Sequence, residues 1–301
     1  MSNSRFKAHS SIILANVIFG LNYSIAKYVL NGYVKSMGLN VLRVLGSIVL
    51  FWLASIFVKE KLDRKDVKRI ALAGLLGIVI NQVFFLKGLT YTTPIDSSII
   101  MTATPIMVLL MAGILLHEKI KPRKIAGTII GCIGAITLIL FSGRGSLDFS
   151  KHTAIGNGMQ LINAAAYACY LIVVKPLMGK YHPVTVLKWA YVFGAIIVLP
   201  LGFNEFAQIN WQSLPLQAFL SIAYVVVFSS FVAFVLNVYA LAHLSPTVVS
   251  SYVYSQPAIA TGFALMIGID HLSWVKVLSA SLVFLGVYLA SIPERQEVIT
   301  C

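Results

Sequence analysis

Ten stretches of this sequence each stay apolar for the roughly 20 residues an α-helix needs to cross the hydrocarbon core of a bilayer. They cover residues 10–30, 36–58, 70–89, 94–116, 124–141, 154–174, 184–203, 215–241, 247–269 and 273–292. Inside a bilayer every backbone N–H and C=O must find its partner within the protein, so a spanning segment is a helix or part of a closed barrel. Barrel strands alternate apolar and polar residues over about ten positions. These runs are too long for that and show no alternation. Tight breaks such as Thr92-Thr93-Pro94 and Leu244-Ser245-Pro246 separate several of them. The expected fold class is all-α: a polytopic membrane protein of ten transmembrane helices.

Composition supports the same class. The 301 residues are 58% hydrophobic and 11% charged, with a mean hydropathy of +0.87, whereas a soluble domain carries about 25% charged residues. The first run continues through Leu30 without a small-x-small cleavage site and has a counterpart later in the chain, so it reads as a mature helix and not a signal peptide.

The net charge is +13. The basic residues crowd into short segments between apolar runs and are not interleaved with aromatic residues, which argues against nucleic acid as a partner. They read instead as topology. Segment 59–69 holds six Lys/Arg and 117–124 holds four. With the N-terminus inside, these segments join Arg5, Lys7, Lys175, Lys180 and Arg295, fifteen in all, against Lys35, Arg144, Lys151 and Lys276 outside. Cytoplasmic loops are the basic ones, so both termini are expected in the cytoplasm and the location is the cell (inner) membrane. Cys132, Cys169 and Cys301 have no metal-type spacing and suggest neither a disulfide framework nor a zinc site.

An internal repeat organises the chain. Segments 94–140 and 246–292 align without a gap at an offset of 152, pairing Pro94 with Pro246, Pro105 with Pro257, Glu118 with Asp270 and Gly134 with Gly286. Leu89 meets Leu241 in the same register. With small shifts Arg43 matches Lys188 and Lys27 matches Lys175. Five spans per copy is an odd number, so the second copy enters from the opposite side. Residues 1–146 and 147–301 therefore form two inverted five-helix repeats, an arrangement many secondary transporters use around a midplane site.

Residues 92–141, TTPIDSSIIMTATPIMVLLMAGILLHEKIKPRKIAGTIIGCIGAITLILF, carry a family resemblance. They resemble the EamA-type signature of the drug/metabolite transporter superfamily: a small polar helix start, an internal proline, an acid at the cytoplasmic loop and a Gly-rich fifth helix. The first helix, GLNYSIAKYVL, is similar to the family's opening, with Phe19 where a tryptophan is common, and Arg43 also fits. Asp270 replaces the usual Glu in the second copy, and Ser279 stands where the first has Gly127. The resemblance implies a ten-helix inner-membrane carrier of small metabolites, amino acids being a frequent class. It selects no substrate.

Polar side chains are costly against lipid, so stripes of them on a span face the bundle interior. Asn16, Gly20, Tyr23 and Lys27 share a face of the first helix; Gln160, Asn163, Tyr167 and Tyr170 share one on the sixth. Ser97, Met101 and Thr104 do so on the fourth, and Tyr252, Ser255 and Gln256 on the ninth. These stripes, with Arg43, either line a substrate cavity or serve helix–helix packing. Pro105 and Pro257 lie within spans, where each removes a backbone hydrogen bond and serves as a hinge or as a static kink. Lys27, Lys87 and Asp96 gather near one end of the spans, either as an outer gate that takes up a proton or as snorkelling lysines and a helix-capping acid. Glu118 and Asp270 end their helices against the macrodipole and so call for partners, with Lys188 or Lys175 facing Glu118.

His117-Glu118 lacks the second histidine of a metalloprotease helix, Lys121 standing in its place, and no phosphate-binding G-x-x-x-x-G-K-[ST] loop is present. The expected protein is thus a secondary carrier and not an enzyme, with no cofactor, metal or catalytic residue. Its partners are a small-molecule substrate, exported by alternating access, the lipid bilayer and a proton as candidate coupling ion. It works as a monomer or homodimer. A channel-like facilitator, an intramembrane enzyme and a scaffold are the rival readings.

Overall fold

The computed structural model describes residues 3–117, 122–141, 151–266 and 274–291, and all regular structure among them is helical. In chain order the helices are α1 (Asn3–Leu30), α2 (Ser36–Ser55), α3 (Arg64–Tyr91), α4 (Pro94–Met101), α5 (Thr104–Leu115) and α6 (Pro122–Phe141). There follow α7 (Lys151–Val174), α8 (Pro183–Ala207), α9 (Leu216–His243), α10 (Pro246–Ser251), α11 (Ser255–Met266) and α12 (Trp274–Ser291). Six of the helices among the described residues, α1, α2, α3, α7, α8 and α9, are long and apolar enough to cross a membrane.

The apolar runs 94–116 and 247–269, each expected as one span bent at its proline, are each divided into two helices within the described residues. Thr102 and Ala103 form a turn between α4 and α5, and a 3₁₀ turn, Tyr252–Tyr254, separates α10 from α11. The cause is proline chemistry. Pro105 and Pro257 supply no N–H, and their rings would clash with the carbonyls of Met101 and Val253 four residues earlier. Each proline therefore opens a new helical segment, a position it suits well. Two further irregularities sit in matching places: α3 widens to a π-helix over Leu75–Ile80, and α9 over Val225–Val232. The offset of 152 lays 227–232 on 75–80.

The main helix contacts join early helices to late ones. α2 packs on α8, α3 on α7, α1 on α9 and α6 on α12. Glycines bring two of these pairs unusually close. A Cβ added at Gly156 would lie 3.0 Å from the carbonyl oxygen of Gly88, and one at Gly286 would lie 2.6 Å from Cα of Gly131. The interior holds large side chains such as Phe51, Tyr170, Tyr191 and Tyr254, all fully buried. The outer surface is the unusual one: Phe57, Ile114, Ile196, Leu201 and Leu216 are all more than 60% exposed. Apolar surface on this scale is untenable in water and suits a lipid environment.

Polar links tie the bundle at its ends. Before α3, Asp63 accepts from the N–H of Lys65 and donates its own N–H to the Tyr181 hydroxyl at 3.2 Å. That hydroxyl donates to Asp66 at 2.9 Å, Lys180 reaches the same carboxylate at 3.1 Å, and Glu60 accepts from the N–H of His182. At the other end of α8, Glu205 accepts from the N–H groups of Met37 and Gly38, closing the N-terminus of α2 with a carboxylate.

Candidate functional site

Where α1, α2, α3, α4, α7, α9 and α11 converge there is a cavity of about 60 Å³. Its polar wall comes from Asn22 and Tyr23 on α1, Arg43 on α2, Asn81 and Gln82 on α3, Asn163 and Tyr167 on α7, Ser229 on α9 and Gln256 on α11. Phe19, Phe85, Met101 and Phe234 supply the apolar remainder. This volume lies well below the ~300 Å³ at which pockets for drug-sized ligands begin.

Two hydrogen-bond chains shape the wall. In the first, Tyr23 donates to Gln256 at 2.9 Å, Gln256 donates to Asn16 at 2.8 Å, and Asn16 donates to the backbone of Ile12. In the second, Asn81 donates to Asn163, which donates to Gln160 at 3.1 Å, and Gln160 donates to the Phe85 carbonyl at 2.9 Å. A third cluster centres on Tyr191. Gln82 donates to its hydroxyl, and the hydroxyl donates to the Ser230 carbonyl at 2.8 Å. The two π segments thus meet at one tyrosine, Gln82 following the first and Ser230 lying within the second. Ser230 also donates to Val225 five residues back and accepts from Arg43 Nε at 2.8 Å. Widened turns of this kind recur at functional sites because they free backbone and side-chain groups from the regular ladder.

Of the sequence-predicted positions, Tyr23, Arg43, Asn163, Tyr167 and Gln256 reach the cavity. Asn16 and Gln160 stand behind them in the chains just described. Tyr170 is fully buried against Tyr167, with ring centroids 6.3 Å apart. Ser97 and Thr104 are fully buried in packing. Tyr252 contacts His9, its hydroxyl 2.7 Å from Nδ1, and Ser255 donates to the Tyr252 carbonyl.

Among the described residues, the other charged positions do not line the cavity. Lys27 donates to the carbonyls of Leu89, Thr90 and Thr92 at 2.7, 3.3 and 3.0 Å. Lys87 is exposed. Asp96 is buried in the first turn of α4, its N–H capped by the Thr93 hydroxyl at 3.0 Å. Lys188 lies over the ring of Trp52 at 4.8 Å, although its sequence match, Arg43, reaches the cavity. Glu118 and Asp270 lie outside the described residues. Sequence reasoning did not single out Asn22, Asn81, Gln82 or Ser229. The polar pair Asn81-Gln82 in the middle of the third apolar run was the available signal.

Long apolar helices packed around a small polar cavity make a multi-pass membrane protein. The profile of the EamA-like transporter family matches residues 6–140 and 154–292, and the chain belongs to that family. It is 22% identical to the uncharacterized transporter YetK of Bacillus subtilis over 96% of this chain and 88% of that one. A WAT1-related protein of Arabidopsis thaliana is 23% identical over 97% and 87% respectively. A probable terminal-alkyne amino-acid exporter of Streptantibioticus cattleyicolor is 26% identical over 84% and 83%. An experimentally solved chain superposes with a TM-score of 0.75 at 17% identity, covering 97% of this chain and 99% of the other, a likeness of fold. The protein is a transporter of this family, with a small-molecule substrate and the lipid bilayer as its partners.

Proposed function

We propose that the chain is a secondary carrier that exports an amino acid or related small metabolite by alternating access. The carrying observation is the small polar cavity, lined from seven helices and flanked by two helix breaks at matched positions. In this reading ten spans form two inverted repeats, 1–146 and 147–301, with α4–α5 and α10–α11 serving as two broken spans. Both termini face the cytoplasm at the cell membrane. The turn at Thr102–Ala103 and the 3₁₀ turn at Tyr252–Tyr254 are the hinges, each set by its proline. The name of the Streptantibioticus relative supports both the direction and the amino-acid-like cargo.

A channel-like pore would need a continuous polar path, and a site this small is a poor one, so the carrier reading is preferred. A proton is the proposed coupling ion, with Asp96 the acid to test, and the oligomeric state is monomer or homodimer. The deciding experiment is uptake by proteoliposomes from a mixed pool of amino acids and small metabolites, with and without a pH gradient. Saturable, gradient-sensitive accumulation of one compound supports a proton-coupled carrier. Saturable exchange that ignores the gradient removes the proton, and conductance without saturation replaces the carrier with a pore.

A further inference from the structure

We infer that the cavity is a seat for a carboxylate, and that Arg43 is the residue that recognises it. The inference rests on the carrier reading for its physiological meaning, but it concerns binding and stands or falls on binding. Arg43 is 3% exposed, deep in an apolar bundle. Its Nε is held by Ser230 at 2.8 Å, and its guanidinium carbon lies 6.0 Å from the centre of the Phe85 ring. Those contacts anchor the guanidinium at Nε beside the Phe85 ring. Nη1 finds no hydrogen-bond partner in the protein.

No acidic side chain lines the cavity among the described residues, and Arg43 is the sole cation of its wall. A buried guanidinium without a counter-charge is expensive. An anion in the cavity supplies the missing partner. A single fixed positive charge balances a monoanion, whereas a phosphate dianion would bring a second negative charge that nothing in the wall offsets. The planar fork of arginine also fits the planar fork of a carboxylate.

Three further buried atoms of the same wall lack partners: Asn22 Oδ1, Gln82 Oε1 and Ser229 Oγ. The amide oxygens accept hydrogen bonds and the serine hydroxyl can also donate. These atoms have almost no accessible surface in this structure, so they meet polar groups of the cargo only if the wall shifts to admit it, while Phe19, Phe85 and Phe234 line the apolar part. No carboxylate stands ready for an ammonium group, so the carboxylate is the recognised element and an α-amino group is optional.

The test uses the purified full chain in detergent and two probe sets matched in shape. Butyrate is compared with 2-aminobutyrate, butylamine and butanol; 3-phenylpropionate is compared with phenylalanine, 2-phenylethylamine and 3-phenylpropanol. Binding is read by thermal stabilisation and calorimetry. In at least one set the carboxylate is expected to bind about tenfold or more tightly than its amine and alcohol counterparts, the usual worth of a charge-assisted hydrogen bond. Arg43→Gln should abolish that preference, and Arg43→Lys, which keeps the charge but not the fork, should retain part of it. The wild-type comparison decides the matter even where a variant fails to fold. Equal response across a set, preference for the amine, tighter binding of phenyl phosphate, or no response to any probe overturns the inference. Carboxylate binding without flux in proteoliposomes would sink the carrier reading and leave the seat; flux of amines or alcohols alone would do the reverse.

Discussion

Lys27 and Lys175, 148 positions apart, perform the same task on two different helices. Lys27 reaches the carbonyls of Leu89 and Thr92, where α3 ends before Pro94, and Lys175 reaches those of Leu241 and Leu244, where α9 ends before Pro246, at 2.7 and 2.8 Å. The accepting residues are themselves 152 apart. The last carbonyls of a helix have no partner within it and carry the negative end of its dipole, so an ammonium group there satisfies both needs.

Replacing either lysine with methionine should therefore cost stability more than transport. Removing hydrogen bonds from a charged donor costs about 1.5–3 kcal/mol, and the loss should appear as a lower melting temperature in detergent. Flux in Lys27→Met at a permissive temperature should stay near wild type. A collapse of flux with unchanged melting would return Lys27 to a gate.

The wall of the cavity should be sensitive in the opposite sense. Asn163→Leu removes the acceptor of Asn81 and the donor to Gln160, and Tyr167→Ala opens the wall beside it while freeing Asn237, whose amide donates to the Tyr167 hydroxyl. Both should lower transport by roughly tenfold or more, since misplacing a positioning group by an ångström can cost about a hundredfold, while membrane insertion is retained. Normal flux in both variants would remove these residues from the site.

Gln256→Leu tests the chain that runs from Tyr23 to Asn16. It leaves a buried hydroxyl and a buried amide oxygen without partners, at about 1–3 kcal/mol each. The melting temperature should fall further than in Tyr23→Phe, which removes only one end of the chain. Similar losses in the two variants would mean that the chain does not act as a unit.

The link between Asp66 and Lys180 should matter little to stability. The Lys180 side chain is 60% exposed, and ion pairs of that kind contribute about 0–1 kcal/mol. Asp66→Asn should shift the melting temperature only slightly. A large shift would show that the charge of the carboxylate matters, since the amide oxygen can still accept from the Tyr181 hydroxyl.

The class of fold was legible because a bilayer admits so few backbone solutions, and ten apolar runs left one. The cavity was harder to read. A stripe drawn at 3.6 residues per turn located Tyr23, Asn163 and Tyr167, but it passed over Asn81, Gln82 and Ser229. The stripes leave out the third and eighth runs, where Asn81 and Gln82 follow directly on a π segment and Ser229 lies within one, so a period of 3.6 does not hold there. Asn22 was missed for another reason. Near the centre of a bundle a helix is buried on more than one side, and a single stripe under-counts what faces inward. The roles of Lys27 and Glu205 depend on carbonyls and N–H groups of distant helix ends, which no local pattern displays.

The close contact of Gly286 with Gly131 has a consequence for how the chain is made. α6 finds its glycine-matched neighbour only in α12, the last helix described, more than 130 residues further on. Until that segment is made and enters the membrane, the part of the Gly127–Gly131 face that Gly286 meets lacks its final neighbour. Docking of α6 on α12 must wait for that segment, and a bulky side chain at Gly286 would block it.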